Sequence, residues 1–233
     1  MRGLYSDGMS PPAAGKDFSE KAFLTSKRLF DIAGGTAGCL ATVMLLGIVK
    51  AVYVLSGDTG PVIYRQTRIG KHGRPFTIYK IRTMVDGAED MLEEILSDGE
   101  KRTEWEKTQK MEKDPRVTKA GRILRKYSVD EMPQFFNVLK GEMSIIGPRP
   151  LLPGELEAHK GLPLYNSVRP GITGWWACSG ESSMDYKKRL ELEYEYIRNR
   201  SAGMELRCIA KTAVLMIKGK GKATDGKEKG KQR

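Results

Sequence analysis

From Ile32 to Val49 the chain reads "IAGGTAGCLATVMLLGIV", eighteen residues without a charge. Nothing else in the sequence restricts the fold as much, because such a run must leave water, either in a protein core or in lipid. As a helix it would reach about 27 Å against a hydrocarbon layer of roughly 30 Å. Length alone therefore permits a span, a core helix or a segment dipping into one leaflet. The flanks discriminate: Lys21, Lys27 and Arg28 precede the run, and Arg65, Arg68, Lys71, Arg74, Lys80 and Arg82 follow it. Positive flanks stay on the cytoplasmic side, and a hairpin dipping into one leaflet satisfies both. Gly34, Gly35, Gly38 and Gly47 weaken a helix in water and suit close packing or a break.

Around this run the chain divides into four parts. Residues 1–18, rich in Gly, Pro, Ser and Ala, form a loose leader with no apolar run; 19–57 form a membrane-inserted helical segment; 58–217 a cytoplasmic catalytic domain; and 218–233 a basic, disordered tail. The net charge of +11 is partly that tail, which holds seven Lys/Arg against two Asp/Glu, leaving +6 for the body. A basic body points to a polyanionic partner: nucleic acid, anionic lipid or sugar-nucleotide phosphates. Cys39, Cys178 and Cys208 form no CxxC pair, so neither a disulfide framework nor a zinc site is indicated. With His72 and His159 the only histidines, acid, base and nucleophile duties fall to carboxylates.

"GPVIYRQTRIGKHGRPFTIYKIRTM" alternates apolar and polar residues around glycine turns and reads as one or two β-hairpins. Asp86 to Lys113 is densely charged and reads as a solvated helical excursion without catalytic residues. "TKAGRILRKYS" predicts a short helix, "PQFFNVLKGEMSIIG" another that closes at Gly141, and two more run from about Asp185 to Arg200 and over "GMELRCIAKTAVLMIKG". The last is amphipathic, suited to a bilayer surface or to a core. Trp175 and Trp176 fit a membrane interface, a substrate pocket or core packing.

The chemistry concentrates in "YSVDEMPQFFNVLKGEMSIIGPRP", where Asp130 and Glu131 stand side by side ahead of Pro133. Ser128-Val-Asp-Glu has the form of a capping box, which is one reading. Pro133 belongs in a first helical turn, so the carboxylates fall at a helix N-terminus, where a phosphate would also dock. A carboxylate beside a phosphate needs a divalent cation or cationic side chains, and Arg125, Lys126, Arg149 and Arg169 are available.

From "KRLFDI" at Lys27 to about Gly221 the sequence resembles the bacterial sugar transferases, the monotopic phosphoglycosyl transferases. The resemblance is carried by the hairpin stretch, by "DPRVTKAGRILRKYSVDEMPQFFNVLKGEMSIIGPRP" and by "VRPGITGWW". It implies a membrane enzyme moving a hexose 1-phosphate from a UDP-sugar donor to a polyprenyl phosphate acceptor, with release of UMP, at the start of surface glycan assembly. It also implies Asp130 as nucleophile, forming a phosphosugar-aspartate, and Glu131 as its partner in proton handling, the two holding Mg²⁺. Arg149, Arg125 and Lys80 would line the phosphate site. The implied fold is α+β and membrane-associated, with an N-terminal re-entrant or membrane helix, interfacial amphipathic helices and a small β-hairpin or sheet. The catalytic domain would lie on the cytoplasmic face against anionic lipid, with homo-oligomers possible and no nucleic acid bound.

The sequence departs from the family pattern in three places. Val43-Met44 stands where Ser-Pro often breaks the membrane segment, Glu142 replaces the commoner Asp, and Glu181 stands where arginine is frequent. A rival class is a membrane-anchored basic nucleic-acid-binding protein. It has the charge, but no RNP, helix-turn-helix or finger pattern.

Overall fold

The computed structural model describes residues 17–108, 111, 114–155, 162–179 and 186–218. Most of the leader, the tail beyond Lys218 and Glu181 lie outside these residues. With no proline to remove a backbone N–H, the apolar run stays helical throughout: α1 (Asp17–Leu55) is one helix of 39 residues with no break at Val43-Met44. The expected re-entrant bend is absent. The glycines instead permit close packing, since a Cβ on Gly38 would overlap the Phe135 ring and one on Gly35 would press on Leu139.

α1 is patterned inside out. Asp31, Cys39, Thr42, Val49 and Tyr53 are buried against the rest of the protein, whereas Leu40, Val43, Met44, Ile48 and Leu55 are 58% or more exposed. A soluble helix does the reverse. Among the described residues the exposed stripe is apolar and covers nothing, while the docked face mixes the polar Asp31 and Thr42 with Cys39, Val49 and Tyr53.

The docked face holds α1 at both ends. Asp31, 1% exposed, accepts from the Ser144 hydroxyl at 3.0 Å and the Ile145 N–H at 2.9 Å. Lys27 donates to the Ile146 carbonyl and pairs with Glu205 at 2.6 Å. Arg28 donates to the Val138 and Leu139 carbonyls. Far along the helix, the Tyr53 hydroxyl donates to the Arg82 carbonyl, and Val49 and Tyr53 pack with Ile81.

The predicted hairpin forms from β1 (Ile63–Ile69) and β2 (Pro75–Ile81), antiparallel, with Lys80 opposite Tyr64 and Arg68 opposite Phe76. The charged excursion contains α2 (Met91–Ile95) and α3 (Gly99–Thr108). Next come α4 (Lys119–Lys126) and, beyond a 3₁₀ turn, α5 (Phe135–Lys140), which ends on left-handed Gly141 as expected. A two-stranded parallel pairing of β3 (Ser144–Ile146) with β4 (Gly171–Thr173) was not legible in the sequence. α6 (Leu162–Asn166) precedes β4, and α7 (Tyr186–Asn199) and α8 (Ala202–Ile217) close the fold. One core joins β3, α7 and α8 through Ile146, Tyr196, Ile197 and Cys208. Trp175, partly buried, packs against that core.

α4 docks through Gly121, where a Cβ would collide with the Thr83 carbonyl oxygen. Gly121→Ala should therefore cost about 1–3 kcal/mol of stability, as overpacking does. The check is a lower thermal midpoint together with reduced activity, because Arg125 rides on this helix; an unchanged midpoint would contradict so close a contact.

Candidate active site

Asp130 and Glu131 lie in a 3₁₀ turn, Val129–Gln134, entered through Ser128 in the left-handed region at φ 53°. The capping box does not form. Ser128 makes no side-chain cap, and its own N–H already donates to the Arg125 carbonyl at 3.0 Å. Pro133 sits late in the 3₁₀ turn, not in the first turn of an α-helix. α5 begins only at Phe135 and has six residues, too short for a strong dipole, so an anion here must be met by side chains.

The hairpin supplies the first of them. On the face of β2 turned to the 3₁₀ turn, Ile78 is buried against Val138 and Met143. Two residues on, side chains return to the same face, and Lys80 reaches Glu131 at 3.1 Å. The partner strand places Tyr64, Gln66 and Arg68 on that face too. Arg68 is buried, donates to Gln66 and to the Pro150 carbonyl, and interacts electrostatically with Arg149, Glu155 and Glu131. Burial first, and the neighbouring Arg149 second, lower its pKa to about 10. It still carries its charge at neutral pH.

Arg149 follows β3 directly, in the Gly-Pro-Arg-Pro corner. Its N–H donates to Glu193 at 3.2 Å, its carbonyl accepts from the Tyr165 hydroxyl, and its Nη1 lies 3.1 Å from Glu155 Oε1. Glu155 also pairs with Arg189 at 3.5 Å. Arg125 comes from α4, whose N-terminus Thr118 caps by accepting from the Gly121 N–H, and its Nε donates to the Thr83 hydroxyl at 2.8 Å.

Of the predicted residues, Glu131 and Lys80 are in direct contact, and Arg68 links them electrostatically to Arg149. Arg125 borders the turn through α4. Arg169 donates to the carbonyl of Gly141, just beyond α5. Lys126 lies over the Tyr127 ring. Sequence reasoning missed the roles of Arg68, Glu155, Arg189 and Glu193. The first was visible as one cation among many, and the others carried no local signal. Glu142, the departure from Asp, accepts from the Asn137 amide at 2.7 Å, so its longer side chain is used in packing the turn after α5.

Among the described residues no three His, Cys, Asp or Glu gather as a closed metal cage. Asp130 and Glu131 are the residues that could hold a divalent cation, since Mg²⁺ binds through one or two carboxylates and fills its shell with water and substrate phosphate oxygens.

A family profile described as bacterial sugar transferase matches residues 22–219. The undecaprenyl-phosphate galactose phosphotransferase of Salmonella typhimurium is 39% identical over 197 residues, 82% of this chain and 40% of that protein. The exopolysaccharide production protein ExoY of Rhizobium meliloti is 37% identical over 198 residues, 83% of this chain and 87% of its own length. The UDP-glucose:undecaprenyl-phosphate glucose-1-phosphate transferase of Escherichia coli is 38% identical over 184 residues, 73% of this chain and 37% of that protein. The chain thus spans about two fifths of the length of the Salmonella and Escherichia relatives.

Behind the site, Glu193 is 1% exposed, and its Oε2 meets no hydrogen-bond donor among the described residues. Burial pushes its pKa from 4.5 up to about 7, against the pull of Arg189 and Arg149. Since the folded value is the raised one, its contribution to stability is full below pH 4.5 and is lost as pH rises through about 7. Glu193→Gln cannot ionise and should escape that loss. Thermal midpoints of parent and variant from pH 4.5 to 8 test this, and parallel curves would contradict it.

Proposed function

Since the chain belongs to the bacterial sugar transferase family, we propose that it transfers a hexose 1-phosphate from a UDP-sugar to a polyprenyl phosphate, releasing UMP, as the first membrane step of surface glycan assembly. The observation that carries this reading is Glu131, next to Asp130 in the turn, paired with Lys80 and linked through Arg68 to Arg149. A carboxylate and a diphosphate repel, and reaction between them needs cations placed beforehand. The Salmonella and Escherichia relatives are named for transfer of galactose and glucose phosphates with undecaprenyl phosphate, which is the chemistry extended to this chain.

In the proposed reaction the Asp130 carboxylate attacks the phosphorus that bears the sugar. A P–O bond forms as the bond to the UMP oxygen breaks, and UMP departs with that electron pair. The phosphosugar then rests on Asp130 as an acyl phosphate, until an oxygen of the acceptor phosphate attacks the same phosphorus and restores the carboxylate. Arg149 and Arg68 balance the charge of the diphosphate, while Lys80 holds Glu131 beside the nucleophile. Mg²⁺ held at Asp130 and Glu131 would neutralise phosphate charge and stabilise the leaving UMP.

The rival reading as a nucleic-acid binder draws on the charge alone, and four of the arginines, Arg28, Arg82, Arg116 and Arg169, bond to carbonyls or carboxylates within the fold.

The proposed membrane placement rests on α1. Both of its ends are bonded to the catalytic domain, and its outer stripe is apolar. The helix would lie along the cytoplasmic leaflet with that stripe in the acyl region, unbroken, and with the catalytic domain facing the cytoplasm. Cysteines at Ser26 and Thr59 should both react with an impermeant reagent applied from the cytoplasmic side and with none applied from outside. Labelling of one from each side would mean that α1 spans.

The covalent step has its own test. Enzyme, Mg²⁺ and the correct member of a UDP-sugar panel should release about one UMP per site without acceptor, leaving a phosphosugar on Asp130. Addition of polyprenyl phosphate should discharge it. Asp130→Asn should abolish both burst and adduct, because an amide carries no charge with which to attack. If direct attack by the lipid phosphate is the route, no UMP appears until acceptor is added and mass spectrometry finds no adduct.

A further inference from the structure

Arg149 is pinned more completely than binding a phosphate would require of an exposed arginine. Its backbone is fixed from both sides, by Glu193 at the N–H and by Tyr165 at the carbonyl. Its head is fixed by Glu155, and the manner of that contact is informative. Both oxygens of Glu155 lie on the single nitrogen Nη1, at 3.1 and 3.3 Å. No hydrogen bond engages Nη2 or Nε among the described residues, and the side chain remains 27% exposed. Guanidinium grips a phosphate best with two parallel N–H groups along one edge, and the untethered edge offers that fork.

Glu155 is itself delivered by a local device. Leu152-Pro153-Gly154-Glu155 closes as a turn, with Pro153 fixing the entry and Gly154 at φ 82°. The Glu155 N–H donates to the Leu152 carbonyl at 3.1 Å, and the Leu152 N–H returns a hydrogen bond to Glu155 Oε2 at 2.7 Å. Arg189 approaches from α7 at 3.5 Å, and Arg68 lies within electrostatic range. Glu155 is thus the shared counter-ion that lets these guanidinium groups sit together. Burial raises its pKa, but the Leu152 N–H and the arginines Arg149, Arg189 and Arg68 outweigh this, and the net shift is downward. It remains ionised at neutral pH.

We propose that Glu155 is the positioning residue of Arg149: it tethers one nitrogen of the guanidinium so that the opposite edge is oriented, before substrate arrives, to grip a phosphate of the donor. This rests on the reading of Arg149 as a phosphate ligand. The gain is pre-organisation, since a long side chain otherwise loses rotamer freedom at the moment of binding. Glu155 touches no reacting atom, and its orienting effect on the donor passes through Arg149, the arginine it holds by hydrogen bonds.

A double-mutant cycle on the full chain in its membrane tests it, with initial UMP release from the active UDP-sugar, plus acceptor and Mg²⁺, as the readout. Glu155→Gln keeps an acceptor for the Leu152 N–H and so preserves the turn; Glu155→Ala is the second variant. In the parent background either should lower kcat/KM for the donor by about tenfold, within the range of coupled neighbours. In the Arg149→Lys background, where no fork exists to orient, the same change should cost less than about twofold. An equal loss in both backgrounds, or none in the parent, overturns the proposal and leaves Arg149 a phosphate ligand. Full activity of Arg149→Lys alone fails the underlying reading instead.

Discussion

A buried carboxylate at the start of the apolar run of α1 organises this molecule. Asp31 has left water and must find donors inside the protein, and it finds them in the Ser144 hydroxyl and the Ile145 N–H. That requirement seats β3 on α1. Lys27 extends the grip to Ile146, and Arg28 holds the carbonyls at the end of α5. β3 runs directly into Gly-Pro-Arg-Pro, and α5 is preceded by the turn that carries Asp130. Both halves of the site are therefore referred to the same helix, the one whose other face is left apolar and exposed. The exposed apolar surface of α1 and the candidate site form one mechanical unit.

The excess of positive charge divides into two uses. Arg82 is nearly buried, pairs with Asp58 at 2.6 Å and stacks over Tyr53, so it fastens the end of α1 to the hairpin. Arg116 closes on Asp114 and Arg169 on the Gly141 carbonyl. These cations satisfy carbonyls and carboxylates and build the fold. Lys80, Arg68 and Arg149 face acidic groups at the site, and each is restrained by a partner already in place. A site for a highly charged substrate benefits from cations that need not be reorganised when it binds. The same restraint explains the acidic residues Glu131 and Glu155 among them: without counter-ions, neighbouring guanidinium groups would repel one another apart.

Much was legible where local rules suffice. The alternation around Gly70 and Gly73 gave the hairpin, Gly141 closed α5, and the last two helices run nearly where their periodicity placed them. The Asp130–Glu131 pair, Arg149 and the membrane-suited segment also stood out, because two adjacent carboxylates before a proline and a long uncharged run have few structural uses. Local rules failed where a distant partner intervened. Ser128 looked like a cap, but its N–H was taken by Arg125 and its backbone turned left-handed. The parallel pairing of β3 with β4 joins segments of three residues each, too short to show a period.

By itself, then, the sequence determined the elements whose conformation depends on residues within a turn or two, and the residue types able to do phosphate chemistry. Tertiary structure decided the rest: that α1 is unbroken and docks Asp31 against β3, that Arg169 bonds to the Gly141 carbonyl, that Arg68 lies within electrostatic range of Glu131 and Arg149, and that Glu155 bonds to Arg149. The physical reason is that these outcomes depend on which groups meet after the chain has folded back, as Asp31 meets Ile145 across 114 residues. A buried charge or an orphaned carbonyl then takes the nearest partner that packing supplies, and no local pattern records which one that will be.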